Sequence, residues 1–149
     1  MAGPLAGIRI IDTSAILSGP LATMMLADQG AEVIKIEPPG VGDLMRAGAF
    51  ARGGLCSFFA NANRGKRSIV LDLTKPRGRE LLLSLVRDAD VFVQNFRPGA
   101  VERLGIAEPD LRQVKPDLVY ASISGYGPTG PYRDRRVYDP IIQGLTGHR

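Results

Sequence analysis

The 149-residue sequence holds one cysteine, Cys56, one histidine, His148, and no tryptophan. A single thiol excludes an internal disulfide and a cysteine-built metal cage, and it suits a reducing cytoplasm. The lone histidine, one residue from the end of the sequence, reads as a solvated tail residue. Aromatic residues make up 6% of the chain. The two dense basic clusters, Arg64-Gly65-Lys66-Arg67 and Arg133-Asp134-Arg135-Arg136, lack the interleaved rings that readers of single-stranded nucleic acid use for stacking. Elsewhere bases alternate with acids, as in Arg79-Glu80, Arg87-Asp88 and Glu102-Arg103. The net charge of +4 therefore fits an anionic small ligand as well as a polynucleotide, and no nucleic-acid partner is expected. Long hydrophobic runs are also missing. The uncharged stretches at residues 13–27 and 118–132 are broken by Gly-Pro pairs and are too short to span a bilayer. No basic segment leads into an apolar one near Met1, so a cytoplasmic location without membrane attachment is expected.

Hydrophobic residues at 44% and charged residues at 23% are the proportions of an ordinary globular domain, and the length suits one such domain. The 18 glycines and 11 prolines fall mostly between apolar runs, where they punctuate turns. Residues 8–11 (Ile-Arg-Ile-Ile) form a short β-branched run of strand character. Residues 21–29 follow with Leu21, Met24 and Met25 at helical spacing, opened by Pro20 and closed by Gly30. Residues 31–36 predict a second strand, with Ile34 and Ile36 on one side and Val33 on the other. A long excursion runs to Gly54, and residues 61–66 read as a tight turn into a strand at 68–71. Leu81, Leu82, Leu85 and Val86 mark the clearest amphipathic helix. Strands at 90–93 and 118–123, short helices at 100–104 and 108–114, and an apolar helix over 138–145 complete the pattern. Five strands alternating with helices predict an α/β fold: a doubly wound, mostly parallel, Rossmann-like sheet.

Ligands of such sheets bind beyond the carboxyl ends of the strands. Those ends carry residues 13–18, 37–43, 72–75, 95–99 and 124–130. A dinucleotide site needs G-x-G-x-x-G at the first strand-helix turn. The chain has Asp12-Thr13-Ser14-Ala15-Ile16-Leu17-Ser18-Gly19-Pro20 there, with one glycine, so that reading fails on its most specific feature. A GxxxxGK[ST] phosphate loop is absent too. On its own, Asn95-Phe96-Arg97-Pro98-Gly99 reads as a strand-ending turn with an exposed aromatic, and Arg103 and Arg136 read as solvated surface cations.

Motifs along the chain alter that balance. Asp12-Thr13, Ser18-Gly19-Pro20, the run from Leu26 through Lys35-Ile36-Glu37-Pro38-Pro39, and Gly42-Asp43 resemble the opening of the family III CoA transferases. That family includes carnitine CoA-transferase, formyl-CoA transferase and α-methylacyl-CoA racemase. The likeness continues through Asn63-Arg64-Gly65-Lys66-Arg67-Ser68-Ile69, Leu71-Asp72-Leu73, Ala89-Asp90-Val91 and Asn95-Phe96-Arg97-Pro98-Gly99. It ends with Ser124-Gly125-Tyr126-Gly127 and Tyr138-Asp139, covering residues 7–147.

The resemblance implies that coenzyme A lies along these loops, so that residues 1–149 form a CoA-binding domain, the N-terminal part of a longer architecture. Ile16, Leu17 and Ser18 would sit near the thioester end. Leu71, Thr74, Asn95, Phe96, Arg103 and Leu104 would line the nucleotide and pantetheine path, and Arg136 would meet phosphate. Forked guanidinium donors suit phosphate, and a phenyl face suits adenine or pantetheine. Pro38 stands where some relatives carry a base, and Thr74 where some carry a lysine. The implied reaction transfers CoA between an acyl-CoA thioester and a carboxylic acid through a carboxylate nucleophile, with amides of a glycine-rich loop stabilising the oxyanion and no metal. The nucleophilic Asp would lie downstream of Tyr138-Asp139, beyond Arg149, and Asp139 is not its equivalent. Tyr138 occupies the place where the racemase branch has an acid/base histidine. A phenol with a usual pKa of about 10 is a poor base, which favours a transferase over a racemase. The same resemblance implies an interlocked homodimer for the full-length protein. A chain that binds CoA without turning it over is the alternative outcome.

Overall fold

The computed structural model describes residues 3–47, 51–53 and 55–147. Strand β1 (Arg9–Asp12) leads to helix α1 (Ser18–Asp28) and strand β2 (Glu32–Glu37). A 3₁₀ turn (Leu44–Ala47), the short strands β3 (Ala51–Arg52) and β4 (Leu55–Cys56), and helix α2 (Ser57–Asn63) follow. Then come β5 (Arg67–Val70), α3 (Pro76–Arg87), β6 (Val91–Gln94), α4 (Ala100–Leu104), α5 (Glu108–Arg112), β7 (Val119–Ser122) and α6 (Asp139–Thr146).

Five strands form one parallel sheet in the order β5-β2-β1-β6-β7, while β3 and β4 pair separately as a small antiparallel ribbon. The predicted doubly wound fold is the observed one. The chain winds outward from β1 through β2 to β5, then returns to β6 beside β1 and winds the other way. Between β1 and β6 lies the switch point where ligands of open α/β sheets bind.

Side-chain alternation divides the core into two layers. Ile11, Ile36 and Phe92 face a cluster built with Leu82 and Val86 of α3, Val101 of α4 and Leu111 of α5. Ile10, Val33 and Val93 face the other side, where Leu26 and Ala27 of α1 pack. Leu82, Val86 and Leu111 are fully buried, which accounts for a helix at 76–87 in a sequence with Gly78 inside it. Gly78 is required: a Cβ there would sit 2.0 Å from the Asp72 carbonyl oxygen.

Three expectations need correction. Helix α1 starts at Ser18, and its buried face is Gly19, Pro20, Thr23 and Met24, with Leu21 and Met25 exposed. Hydrogen bonding of Thr23 to Asp12 sets that orientation over the apolar stripe. Residues 61–63 close helix α2, and only Arg64 and Gly65 form the turn. The excursion toward Gly54 contains the 3₁₀ turn and the ribbon, with Cys56 and Phe59 buried against the body of the domain. The predicted C-terminal helix is present as α6, yet none of its residues is buried, and Ile141 and Leu145 face outward. His148 lies outside the described residues. Among the described residues no helix is long and apolar enough to cross a membrane.

Candidate functional site

The last ladder rung between β1 and β6 pairs Asp12 with Val93. The Thr13 amide and hydroxyl both donate to the Val93 carbonyl oxygen, each at 2.9 Å, and there the two strands part. In the space beyond, residues 14–16 are held almost entirely by side chains. The Ser14 amide donates to Asp12 Oδ1 at 2.9 Å, and Lys35 Nζ donates to the Ser14 carbonyl oxygen at 2.8 Å. Asn95 takes Ala15 from both sides: its Oδ1 accepts the Ala15 amide at 2.9 Å, and its Nδ2 donates to the Ala15 carbonyl at 2.8 Å. The Ile16 amide donates to Asp43 Oδ1 at 3.1 Å.

Ile16 has φ of 71°, the sole positive φ at a non-glycine among the described residues. A β-branched side chain in the left-handed region is an outlier that costs about 1–3 kcal/mol and persists only where its surroundings determine it. Helix α1 begins two residues later. Gly19 permits its close approach, since a Cβ there would fall 2.2 Å from Ser14 Oγ.

Under this loop lies a buried ionic cluster. Lys66 Nζ uses all three of its donors, on Asp12 Oδ2 at 2.9 Å, the Pro20 carbonyl at 2.8 Å and Asn63 Oδ1 at 2.9 Å. Thr23 Oγ1 donates to the same Asp12 oxygen at 2.7 Å, and the Ser14 hydroxyl bonds the other. Lys35, 1% exposed, pairs with Asp43 at 2.9 Å. Glu37, 2% exposed, accepts two bonds from Arg46 at 2.6 and 2.7 Å and one from the Asp43 amide at 3.0 Å, and it also bonds Ser68. The Arg46 guanidinium lies 3.9 Å from the centre of the Phe59 ring. Three carboxylates thus face three cations, and among the described residues every buried side-chain N or O has a partner. That is the condition under which buried charge is tolerated.

Burial works against the charged form of Asp12, but Lys66 and Lys35 outweigh it and hold the carboxyl below its usual range. For Lys66, burial prevails over the attraction of Asp12 and lowers its pKa. Burial also opposes ionisation of Glu37, and the bonds from Arg46, Ser68 and the Asp43 amide overcome it, leaving the carboxyl at about 2.

Above the cluster opens a cavity of about 310 Å³ at the carboxyl ends of β1, β2 and β5. Its walls are mainly apolar, and Leu71, Thr74, Phe96 and Leu104 line it together with Thr13, Ser14 and Ala15 of the strained loop. Four of the ten site residues expected from the sequence therefore share one surface. Asn95 is not part of that wall, and its side chain bonds Ala15 of the loop. Ile16, Leu17 and Ser18 carry the chain from the cavity edge into α1. Arg103 and Arg136 are solvent-exposed and lie off the cavity wall. Thr74 is oriented by Asp72, whose Oδ1 accepts both its amide at 3.0 Å and its hydroxyl at 2.5 Å. Among the described residues no group of three or more His, Cys, Asp and Glu side chains could hold a metal ion.

The ionic cluster is not foreshadowed by any motif in the sequence, where Lys66 belongs to the basic cluster at residues 64–67 and Lys35 to the second strand. A signal was available: Lys35 stands at the same strand parity as Val33, so it had to share a buried face.

A parallel sheet in this order, with a cavity at its carboxyl ends, is a domain of the doubly wound α/β class. The chain belongs to CoA-transferase family III, whose family model matches residues 5–149. An acyl-CoA transferase from Fusarium pseudograminearum is 49% identical, matched over 97% of this chain and 34% of its own length. An acetyl-CoA:oxalate CoA-transferase from Acetobacter aceti is 46% identical over 97% of this chain and 37% of its own. The crystal structure of a CAIB/BAIF family protein from Brucella suis superimposes with a TM-score of 0.93 at 41% identity, covering 99% of this chain and 40% of that one. The chain thus spans little more than a third of the length of these relatives.

Proposed function

We propose that residues 1–149 form the CoA-binding domain of an enzyme that moves CoA between an acyl thioester and a carboxylic acid. The carrying observation is the convergence of Leu71, Thr74, Phe96 and Leu104 on one cavity beside the loop at residues 14–16. At about 310 Å³ the cavity is near the lower bound for ligand pockets, a size for one portion of CoA with the rest lying across the open strand ends. Phe96 and the leucines offer flat and aliphatic walls to adenine or to the pantetheine arm. Ile16, Leu17 and Ser18, leading from the strained loop into α1, are assigned to the thioester end. Arg103 and Arg136, both exposed and outside the cavity wall, are the cations assigned to phosphate.

In the reaction, a carboxylate attacks the acyl-CoA carbonyl, CoA leaves as thiolate, and a mixed anhydride remains on the enzyme. The thiolate then attacks the enzyme's carbonyl, releasing the first carboxylic acid and leaving an enzyme thioester. The acceptor carboxylate repeats the sequence in reverse and departs as acyl-CoA. The nucleophilic carboxylate and the glycine-rich oxyanion loop are assigned to the part of the relatives' length that this chain does not span. The domain described here binds and orients CoA. A cytoplasmic homodimer is the corresponding assembly for the longer protein.

Titration calorimetry with CoA tests the reading. CoA binds the chain, and the double substitution Arg103→Ala, Arg136→Ala weakens it about tenfold or more, as expected for lost charge-assisted bonds. Unchanged affinity in that variant sinks the phosphate assignment. No heat with the unaltered chain sinks the CoA reading.

A further inference from the structure

We propose that Asn95 is a positioning residue, its side-chain amide committed to holding the strained loop at residues 14–16 in a ligand-ready form. The proposal rests on the CoA reading of the site. It stands on where the amide points: both of its polar atoms are taken up by Ala15, at 2.9 and 2.8 Å, from 80 residues away in sequence. An amide is the side chain that offers one acceptor and one donor in the spacing of a peptide group. Past the last rung at Asp12 and Val93, Asn95 therefore supplies an extra rung made by a side chain, at the point where β1 and β6 diverge. The next residue along, Ile16, has the left-handed backbone, and its amide is tied to Asp43. Asp43 is in turn fixed by Lys35, whose ammonium also grips the Ser14 carbonyl. Asn95 clamps one side of the turn, and the Lys35–Asp43 pair clamps the other. Phe96, the neighbour of Asn95, lines the cavity, so the same strand end carries both a wall and the clamp.

The test is a cycle of Asn95→Ala and Ile16→Gly, with Asn95→Asp as an isosteric variant that keeps the acceptor for the Ala15 amide but loses the donor. Glycine relieves the left-handed strain, so the clamp has less to hold. Asn95→Ala raises the Kd for CoA about tenfold in the parent chain and less than threefold beside Ile16→Gly. Equal losses in both backgrounds mean that Asn95 binds the ligand directly, and they overturn the proposal. Hydrogen exchange at the Ala15 amide gives a readout without ligand. It accelerates at least tenfold in Asn95→Ala, and the Asn95→Asp variant retains more protection. Unchanged exchange overturns the clamp even if CoA binds. A parent chain that ignores CoA overturns the reading of the site, while the exchange rates still decide the clamp.

Discussion

Replacing Lys66 with methionine is the sharpest perturbation of the buried cluster. The substitution keeps most of the aliphatic stem and removes an ammonium that makes bonds of 2.9, 2.8 and 2.9 Å to Asp12, Pro20 and Asn63. Asp12, fully buried, then loses its nearest cation and keeps only Thr23, Ser14 and the more distant Lys35. Removing one partner of a buried pair costs about 3–5 kcal/mol, because the other charge stays desolvated. Against the roughly 5–15 kcal/mol that holds a typical domain together, that is a large fraction. Urea unfolding at pH 7 is the assay, with the midpoint lowered and the slope unchanged, and Tm falls by about 10 °C. A pH series adds a second check. In the parent, Asp12 lies below its ordinary value, so its stabilisation is present above about pH 4 and is lost as pH falls through the folded-state value. In Lys66→Met, burial dominates and Asp12 rises above its unfolded value. The deficit is then largest at neutral pH and shrinks on acidification. A cost below about 1 kcal/mol that is also flat between pH 7 and 4 refutes the buried ion pair. The double variant Asp12→Asn, Lys66→Met should cost less than the sum of its singles, since it leaves no orphaned charge.

Glu37 gives a separate pH signature. With its carboxyl at about 2, it stabilises the fold by about 3 kcal/mol above its unfolded value of about 4.3, and this is lost as pH falls toward 2. Arg46→Ala raises the Glu37 value and moves the acid unfolding midpoint upward, followed by circular dichroism; an unmoved midpoint removes the Glu37–Arg46 contribution. Gly19→Ala sets helix propensity against packing. Propensity alone favours alanine by up to about 1 kcal/mol, whereas a Cβ 2.2 Å from Ser14 Oγ predicts a loss of about 1–3 kcal/mol and weaker CoA binding. A more stable variant by thermal melting decides for propensity.

The alternation of strand and helix was legible because the apolar runs were short and bounded by turn-forming residues, Gly or Pro at most ends and Asp or Asn around residues 90–93. Periodicity placed α3 well, since Leu82 and Val86 face the core over a long stretch. Helix α2 was hidden by its own composition. Ser57-Phe58-Phe59-Ala60-Asn61-Ala62-Asn63 has two asparagines where turns are usual, and tertiary packing of Phe59 and Ala62 overrides that bias. The cavity residues on strand-end loops were legible through motif order. The cluster beneath them was not, because single charged residues in a sequence look solvated until topology shows which ones face each other. Lys66 reaches Asp12 across 54 positions, a pairing that no local pattern encodes.

The extra rung supplied by Asn95 joins residues 80 positions apart, and this sets an order on synthesis. A ribosome adding about 5–20 residues per second takes roughly 4–16 s to pass from Ala15 to Asn95. In that interval the Ala15 amide and carbonyl lack their Asn95 partner. Asp12 also waits for Lys66, so its carboxylate stays in water until a cation has been made to meet it. The loop that would hold the ligand thus cannot be completed until Asn95 has been made, although it lies near the beginning of the chain.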